Sequence, residues 1–285
     1  MKNIIYVVNL PKDKQLVYTK TIINFLIEKN MNIYVEDDSL AAMFNVKMID
    51  VSIKYDLAVV LGGDGTILKF SRMYGQLNIP IFGINLGRVG ALTIAKISNF
   101  KELFNKYLAG NYFITENLTL QGKINFNSEE EISFTIYNDI MIHRGFSTKL
   151  LPIVIGINNT KFDKVYADGI VIATPSGSSA YNFSAGGPLL SHNSNCYVIT
   201  PICPQTRGFS SLVVSNNEVV RLAIMGDFEE VYLSVDGCEK YHINHNDEIV
   251  IYKSNQCLRL INFAEQNSIY ETVYKVMGSS RKEDF

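Results

Sequence analysis

Apolar positions in the first hundred residues come in short, nearly unbroken runs separated by stretches of helical spacing. Residues 4–9, 57–61 and 80–84 are runs made mostly of Ile, Val, Leu, Phe and Ala, and 32–36 is another short one, around Ile33, Tyr34 and Val35. Such runs predict strands buried on both faces. Between them, residues 13–29 place Leu16, Ile23, Leu26 and Ile27 on one helical face. Residues 65–75 and 99–108 carry a similar period. Strand–helix alternation with fully buried strands predicts a parallel sheet covered by helices. After Gly110 the period shortens to two. Residues 118–124, 132–136 and 230–235 alternate apolar and polar, with Asn, Asp and Gly clusters between them, which predicts antiparallel strands. The expected fold class is therefore an α/β domain with a parallel sheet, followed by a mostly antiparallel β domain. The change of period puts the boundary near residues 98–112. A last helical pattern covers 268–277, and Arg281–Phe285 reads as a solvated end.

Composition narrows the class. The chain has 285 residues, 47% hydrophobic and 19% charged, with a formal net charge of −2. It offers no basic field for nucleic acid or an anionic membrane. No apolar stretch reaches the length of a membrane span. The first nine residues turn polar too soon for a signal peptide and read as a buried strand. Cys196, Cys203, Cys238 and Cys257 lack metal-type spacing, and His143, His192, His242 and His245 do not pair with them. Reduced thiols in a cytoplasmic protein are the expectation.

Candidate chemistry concentrates at strand ends. Gly62-Gly63-Asp64-Gly65-Thr66 follows the run 57–61 and opens a helix. Glycines let backbone approach a ligand, and N–H groups at a helix start favour an anion. A lone carboxylate there repels phosphate unless it serves a metal or a reacting hydroxyl. The combination points to phosphoryl transfer to an alcohol; a tight turn with Asp64 as a helix cap explains the same residues about as well. Residues 168–190 form a second signal: an apolar run, then Thr174-Pro175-Ser176-Gly177-Ser178-Ser179-Ala180-Tyr181 and on to Gly186-Gly187-Pro188. Hydroxyls, small residues and one aromatic face suit a purine–ribose pocket, with a surface loop rich in turn formers as the alternative. Asn138-Asp139 closes a β-like run and suits ribose hydroxyls, or forms an Asx turn. Asn85-Leu86-Gly87-Arg88-Val89-Gly90 ends another strand, as a ligand wall or a simple turn. Ser234-Val235-Asp236-Gly237 reads first as an Asp-Gly hairpin. A Walker-type loop, a dinucleotide Gly-x-Gly-x-x-Gly at the first strand end and a Gly-x-Ser-x-Gly elbow are all absent from the sequence.

Together these residues resemble the NAD kinase family: Gly62–Thr66, Asn85–Gly90, Asn138-Asp139, residues 168–188, Thr200-Pro201-Ile202-Cys203-Pro204 and Val235-Asp236-Gly237. The first motif is shared with lipid kinases and phosphofructokinases; the 168–188 stretch is the specific one. The resemblance implies transfer of the γ-phosphoryl group of ATP, or of inorganic polyphosphate, to the 2′-hydroxyl of the adenosine ribose of NAD. It implies magnesium or another divalent cation, a homodimer or homotetramer, and a sandwich-like β domain. The expected organisation is 1–100 α/β, 101–264 β-rich and NAD-binding, and 265–285 returning to the first domain. Asp64 becomes the expected catalytic residue, with Gly63, Gly65 and Thr66 against phosphates. Asn138 and Asp139 would bind ribose. Ser176, Ser179, Ala180 and Tyr181 would line the adenine side, with Ser184 close by. Asp168 would sit near the dinucleotide across a subunit contact, and Lys149 and Cys203 at further NAD contacts; no residue is expected to be a dedicated metal ligand. Asp139 replaces the usual Glu, and Tyr166 stands where many members place an arginine. A lipid or sugar kinase with the same loop, and a dinucleotide sensor without turnover, are the competing readings.

Overall fold

The apolar runs of the first half become parallel strands because each has no polar face to show to water. In the computed structural model the chain is described over residues 1–87, 90–126, 130–162, 164–205, 208–226, 228, 230–245 and 247–263. It divides into two compact units. The first takes in Met1–Glu116 and the segment from Leu258, and the second Asn117–Cys257. The strands over Phe113–Asn125 and Glu248–Asn262 each run from one unit into the other.

In the first unit the order is β1 (Asn3–Val8), α1 (Val17–Glu28), β2 (Asn32–Val35), α2 (Asp38–Phe44), β3 (Lys47–Met48), β4 (Leu57–Gly62), α3 (Asp64–Tyr74), β5 (Ile81–Asn85), β6 (Ala95–Lys96) and α4 (Phe100–Leu108). The strands lie in the order β5-β4-β1-β2-β3, all parallel, with β6 beside β5. Every residue of β4 and β5 is buried, as continuous apolar runs require. On one face Phe25 of α1 meets Phe100 and Phe104 of α4 edge-on, with ring centroids 5.1 and 5.8 Å apart, an arrangement favoured by the ring quadrupoles.

Two details differ from the sequence expectation. Helix α1 begins at Val17 instead of residue 13, because the buried Asp13 carboxylate accepts the Thr19 N–H and hydroxyl, both at 2.8 Å, and Leu16 takes a left-handed turn at φ 54°. Its buried face is Ile22, Ile23, Phe25 and Leu26, while Ile27 is exposed. The short α2 and β3 carried no period strong enough to be read.

The second unit contains β7 (Phe113–Asn125), β8 (Glu131–Ile136), β9 (Asp139–His143), β10 (Leu151–Ile157), β11 (Thr160–Lys161), β12 (Val165–Ala167), β13 (Gly169–Ala173), α5 (Tyr181–Ser184), β14 (Cys196–Ile202), β15 (Leu212–Ser215), β16 (Val220–Ile224), β17 (Tyr232–Val235), β18 (Glu239–His242) and β19 (Glu248–Asn262). One sheet runs β15-β14-β13-β9-β17-β18, antiparallel throughout. The other joins β11, β10, β16 and β19, with β12 on β10 and the pair β7–β8 on β19. Inward residues of both sheets share one core, among them Ile140, Ile142, Ile153, Ile155, Ile172, Leu222 and Leu233, so the unit is a β-sandwich. On the outer face of the six-stranded sheet Leu190 packs with Val171, Ala173 and Val198. This folds the hydroxyl-rich stretch back over its own strand.

The chain re-enters the first unit at the end of β19, where Leu260 pairs parallel to Ile81 of β5. The helical pattern of 268–277 lies outside the described residues. Among the described residues no helix is long and apolar enough to cross a membrane.

Candidate active site

In the first unit, β4 delivers the chain to Gly62, and α3 begins two residues later at Asp64. The carbonyl of Gly63 accepts the N–H of Thr66 at 2.9 Å and of Ile67 at 3.2 Å. By helix geometry the N–H groups of Asp64 and Gly65 have no partner inside the helix. The exposed Gly65 leaves them at an open, electropositive helix end. Thr66 is buried, and its hydroxyl accepts from the Gly63 N–H and from Asn9 Nδ2, each at 3.3 Å. The Thr66 side chain therefore ties the loop from below, while Gly63 and Gly65 form its upper surface.

The Asp64 carboxylate is held in a fixed orientation. Its Oδ2 accepts the Ala91 N–H at 2.8 Å and its Oδ1 the Leu92 N–H at 3.1 Å. Gly90 approaches so closely that a β-carbon there would stand 2.1 Å from Asp64 Oδ1; only glycine fits. Asn85, at the end of β5, shapes the same segment. Its Oδ1 accepts the Gly87 N–H at 2.5 Å, and its Nδ2 donates to Thr93 Oγ1 at 3.0 Å. Residues 90–92, which follow the glycine-rich run, are thus the clamp on Asp64; Arg88 and Val89 lie outside the described residues.

In the second unit, Asp139 opens β9 and Asn138 directly precedes it. The Asp236 carboxylate accepts the N–H groups of Tyr137 at 3.2 Å, Asn138 at 2.7 Å and Asp139 at 3.1 Å. Asp236 and Gly237 sit at φ 48° and 65°, and Cys238 N donates to Val235 O at 2.9 Å. This is the Asp-Gly turn that twisted strands favour, with its carboxylate turned to a second use. Thr174 N donates to Asn138 O, and Thr174 Oγ1 to Tyr137 O, each at 2.8 Å. Asp139 is buried beside Asp236. Burial first, and the neighbouring charge second, push its carboxyl up to about 7, against a partial opposing pull from the Tyr181 N–H that donates to it.

The stretch 168–190 is organised from within. Asn182 is fully buried: its Nδ2 donates to Ser178 O at 2.9 Å and Pro188 O at 3.0 Å, and its Oδ1 accepts from Thr200 at 2.7 Å. Ser178 Oγ donates to Pro175 O at 2.7 Å and accepts from Leu190 N at 2.9 Å. Ser176 is different. It is buried, yet its hydroxyl has no hydrogen-bond partner among the described residues. A buried orphan hydroxyl costs about 1–3 kcal/mol, and a bound polar group would relieve it. Ser179 donates to Ser176 O at 3.3 Å. Ala180, Tyr181 and Ser184 are exposed, Tyr181 at 46%.

The fold therefore gathers Asn138, Asp139, Ser176, Ser179, Ala180 and Tyr181 at one end of β13, with Ser184 at the end of α5. Asp168 stands at the other end, about 20 Å of extended strand from Thr174. There its Oδ1 accepts from Arg144 Nε at 2.8 Å, and its N–H donates to Ile202 O at 2.9 Å, next to the exposed Cys203. Lys149, exposed, lies near the same Arg144 turn through Lys149 N–Ser147 Oγ at 3.2 Å. Sequence reasoning did not assign Asp236 or Asn9 to the site. Asp236 was hidden because the Asp-Gly turn already accounts for it, and Asn9 carries no local signal at all.

A glycine loop at a helix start with one clamped carboxylate in an α/β unit, and a hydroxyl-rich loop folded over a β-sandwich, are the parts of a nucleotide-dependent phosphotransferase. The comparisons with known proteins narrow the class. The ATP-NAD kinase N-terminal domain matches residues 4–112 and the ATP-NAD kinase C-terminal domain residues 137–263. The NAD kinase of Thermoanaerobacter sp. (strain X514) is 35% identical over 271 residues, covering 94% of this chain and 96% of that one. That of Moorella thermoacetica is 33% identical, over 100% and 92%. Among solved structures, the yeast NADH kinase complexed with NADH superposes with a TM-score of 0.88 at 24% identity, covering 100% of this chain and 89% of that one. An Archaeoglobus fulgidus NAD kinase in complex with ATP gives 0.74 at 24%, over 96% and 98%. The chain belongs to the NAD kinase family.

Proposed function

We propose that Asp64 orients and deprotonates the 2′-hydroxyl of the adenosine ribose as this enzyme phosphorylates NAD to NADP. The observation that carries the proposal is the clamp: two backbone N–H groups and a close glycine hold one carboxylate at the mouth of a helix-start phosphate cradle. A sugar hydroxyl is a weak nucleophile, and a positioned carboxylate typically contributes 10²–10⁴-fold. Gly63, Gly65 and Thr66 lie against the phosphates, with the N–H groups of Asp64 and Gly65 as the free donors; phosphates ask the protein for positioning and charge stabilisation. ATP is the donor, in keeping with the ATP complex of the Archaeoglobus neighbour.

Magnesium or another divalent cation accompanies the phosphates. Among the described residues no group of three or more His, Cys, Asp or Glu converges. Such a cation is held mainly by phosphate oxygens and water, with Asp64 alongside. The cation would neutralise charge on the transferring group. Asn138 and Asp139 bind the ribose, while Ser176, Ser179, Ala180, Tyr181 and Ser184 take the adenine side. The orphan Ser176 hydroxyl supports that placement. Asp168, Lys149 and Cys203, at the far end of β13, serve a pocket completed by a second copy of the chain in a homodimer or homotetramer. All four cysteines carry thiols, in keeping with a cytoplasmic enzyme. The domain limits proposed are 1–100, 101–264 and 265–285.

The test is NADP formation from NAD with ATP and magnesium. Asp64→Asn should keep NAD affinity within about threefold and lose at least about a hundredfold in kcat. Near-normal turnover removes Asp64 from the mechanism.

A further inference from the structure

The first loop of the chain, 9–13, lacks the glycine fingerprint that marks phosphate binding at this position in dinucleotide folds, yet the fold brings it onto the cradle. Asn9 N donates to Leu61 O at 2.9 Å, and Asn9 Nδ2 to Thr66 Oγ1 at 3.3 Å. The next three residues form a single tight turn, Leu10–Lys12, with Pro11 inside it. Lys12 N donates to Asn9 O at 2.9 Å. Immediately after it, the buried Asp13 is anchored by Thr19. The Lys12 backbone is therefore fixed on both sides, by the cradle and by the start of α1.

From that turn the Lys12 side chain reaches toward the cradle. Its Nζ lies 3.9 Å from the point where a β-carbon on Gly63 would stand. Lys12 is exposed, and among the described residues no carboxylate pairs with its ammonium. A cation beside an electropositive helix start raises the local potential, an arrangement that is unfavourable until an anion arrives. The Lys12 ammonium thus stands beside Gly63, the residue directly before the unpaired N–H groups of Asp64 and Gly65.

We infer that Lys12 binds the phosphoanhydride chain of the donor, supplying the mobile charge that the glycine loop lacks. The inference rests on Gly63–Thr66 being the donor cradle, and it adds a residue that loop sequence alone does not mark. Lysine suits the task as a point charge on a flexible stem, able to follow the phosphate during transfer. It contributes to donor affinity and to neutralising charge on the leaving phosphate chain. It leaves the NAD pocket of the second unit untouched.

The experiment compares wild type with Lys12→Gln and Lys12→Arg. It measures KM for ATP–magnesium and for NAD separately, repeats the donor titration with inorganic polyphosphate, and determines ATP–magnesium affinity calorimetrically. Lys12→Gln should raise KM and Kd for ATP about tenfold, the size of one charge-assisted contact. It should leave KM for NAD within twofold and the melting temperature within about 1 °C. Lys12→Arg should restore donor KM to within about threefold of wild type. A parallel rise with polyphosphate assigns the contact to the shared phosphate chain. A donor KM unchanged in Lys12→Gln, an equal rise for NAD, or no rescue by arginine overturns the inference while leaving the kinase reading intact. A wild-type chain that makes no NADP with either donor overturns both.

Discussion

Asp139→Asn isolates the cost of one buried charge. Asp139 is buried next to Asp236, whose carboxylate is held as an anion acceptor by three backbone N–H groups. Its folded-state value is pushed from 3.8 to about 7, burial being the larger cause and the Asp236 charge the second. A value raised on folding means the folded state binds the proton more tightly. The stabilisation from that proton is full below pH 3.8 and is lost as pH rises through about 7. The displacement corresponds to a ceiling of about 4 kcal/mol; relaxation and water access in a real interior reduce it to about 2 kcal/mol. Asparagine keeps the shape and can still accept the Tyr181 N–H, but carries no charge. Near pH 5, where Asp139 is protonated in the folded state but already ionised in the unfolded one, a little over a third of the effect is present, and Asp139→Asn should melt only about 1–3 °C higher. At pH 8 Asp139→Asn should melt about 4–8 °C higher, at about 2–4 °C per kcal/mol for a large domain. Thermal melts without nucleotide at pH 5, 6, 7 and 8 give the curve. A difference that is flat with pH, or a variant less stable than wild type at pH 8, refutes the buried-carboxyl reasoning. Asp236→Asn should shrink the pH dependence only in part, because burial remains.

Three further outcomes are expected. Gly90→Ala drives a methyl group into Asp64 Oδ1 and should cost about a hundredfold in kcat with little change in KM for NAD, since a displacement of about 1 Å has that effect; an active Gly90→Ala enzyme would show that Asp64 needs no fixed orientation. Asp236→Ala strands the N–H groups of residues 137–139 and should lower stability by about 2–4 kcal/mol in denaturant titrations; a loss under 0.5 kcal/mol contradicts the assigned anchoring role. Ser176→Ala removes an orphan hydroxyl, so the nucleotide-free protein should melt no lower than wild type, while NAD affinity falls about two- to tenfold by titration; a clear loss of stability without nucleotide would mean the hydroxyl already has a partner.

The site was legible to different depths. Gly62–Thr66 stood out because a buried strand, a bare turn and a helix start are all local, and the structure places Gly63, Asp64 and Gly65 together as that pattern implies. Within 168–190, the small and hydroxylated residues announced a loop of special purpose, but not which of them do what. Thr174, Ser178 and Asn182 spend their polar atoms on the loop's own backbone and its neighbours, whereas Ser176 keeps its hydroxyl unpaired. Their composition is alike, and only the folded partner of each atom separates them. The face of α1 was misjudged at Ile27 because a side-chain cap at Asp13 resets where the helix begins.

By itself the sequence determined what depends on neighbours along the chain: the buried parallel strands, the switch to period two after Gly110, the glycine loop at a helix start and the Asp-Gly turn. Tertiary structure alone decided which distant groups share a space. It brought residues 90–92 onto Asp64, Asp236 beneath Asn138 and Asp139, and the loop of Asn9 and Lys12 onto Gly63 and Thr66. Backbone N–H groups are common to nearly all residue types, so no sequence pattern marks the ones a carboxylate will find. That pairing is fixed only when the strands close into sheets and set their loops side by side.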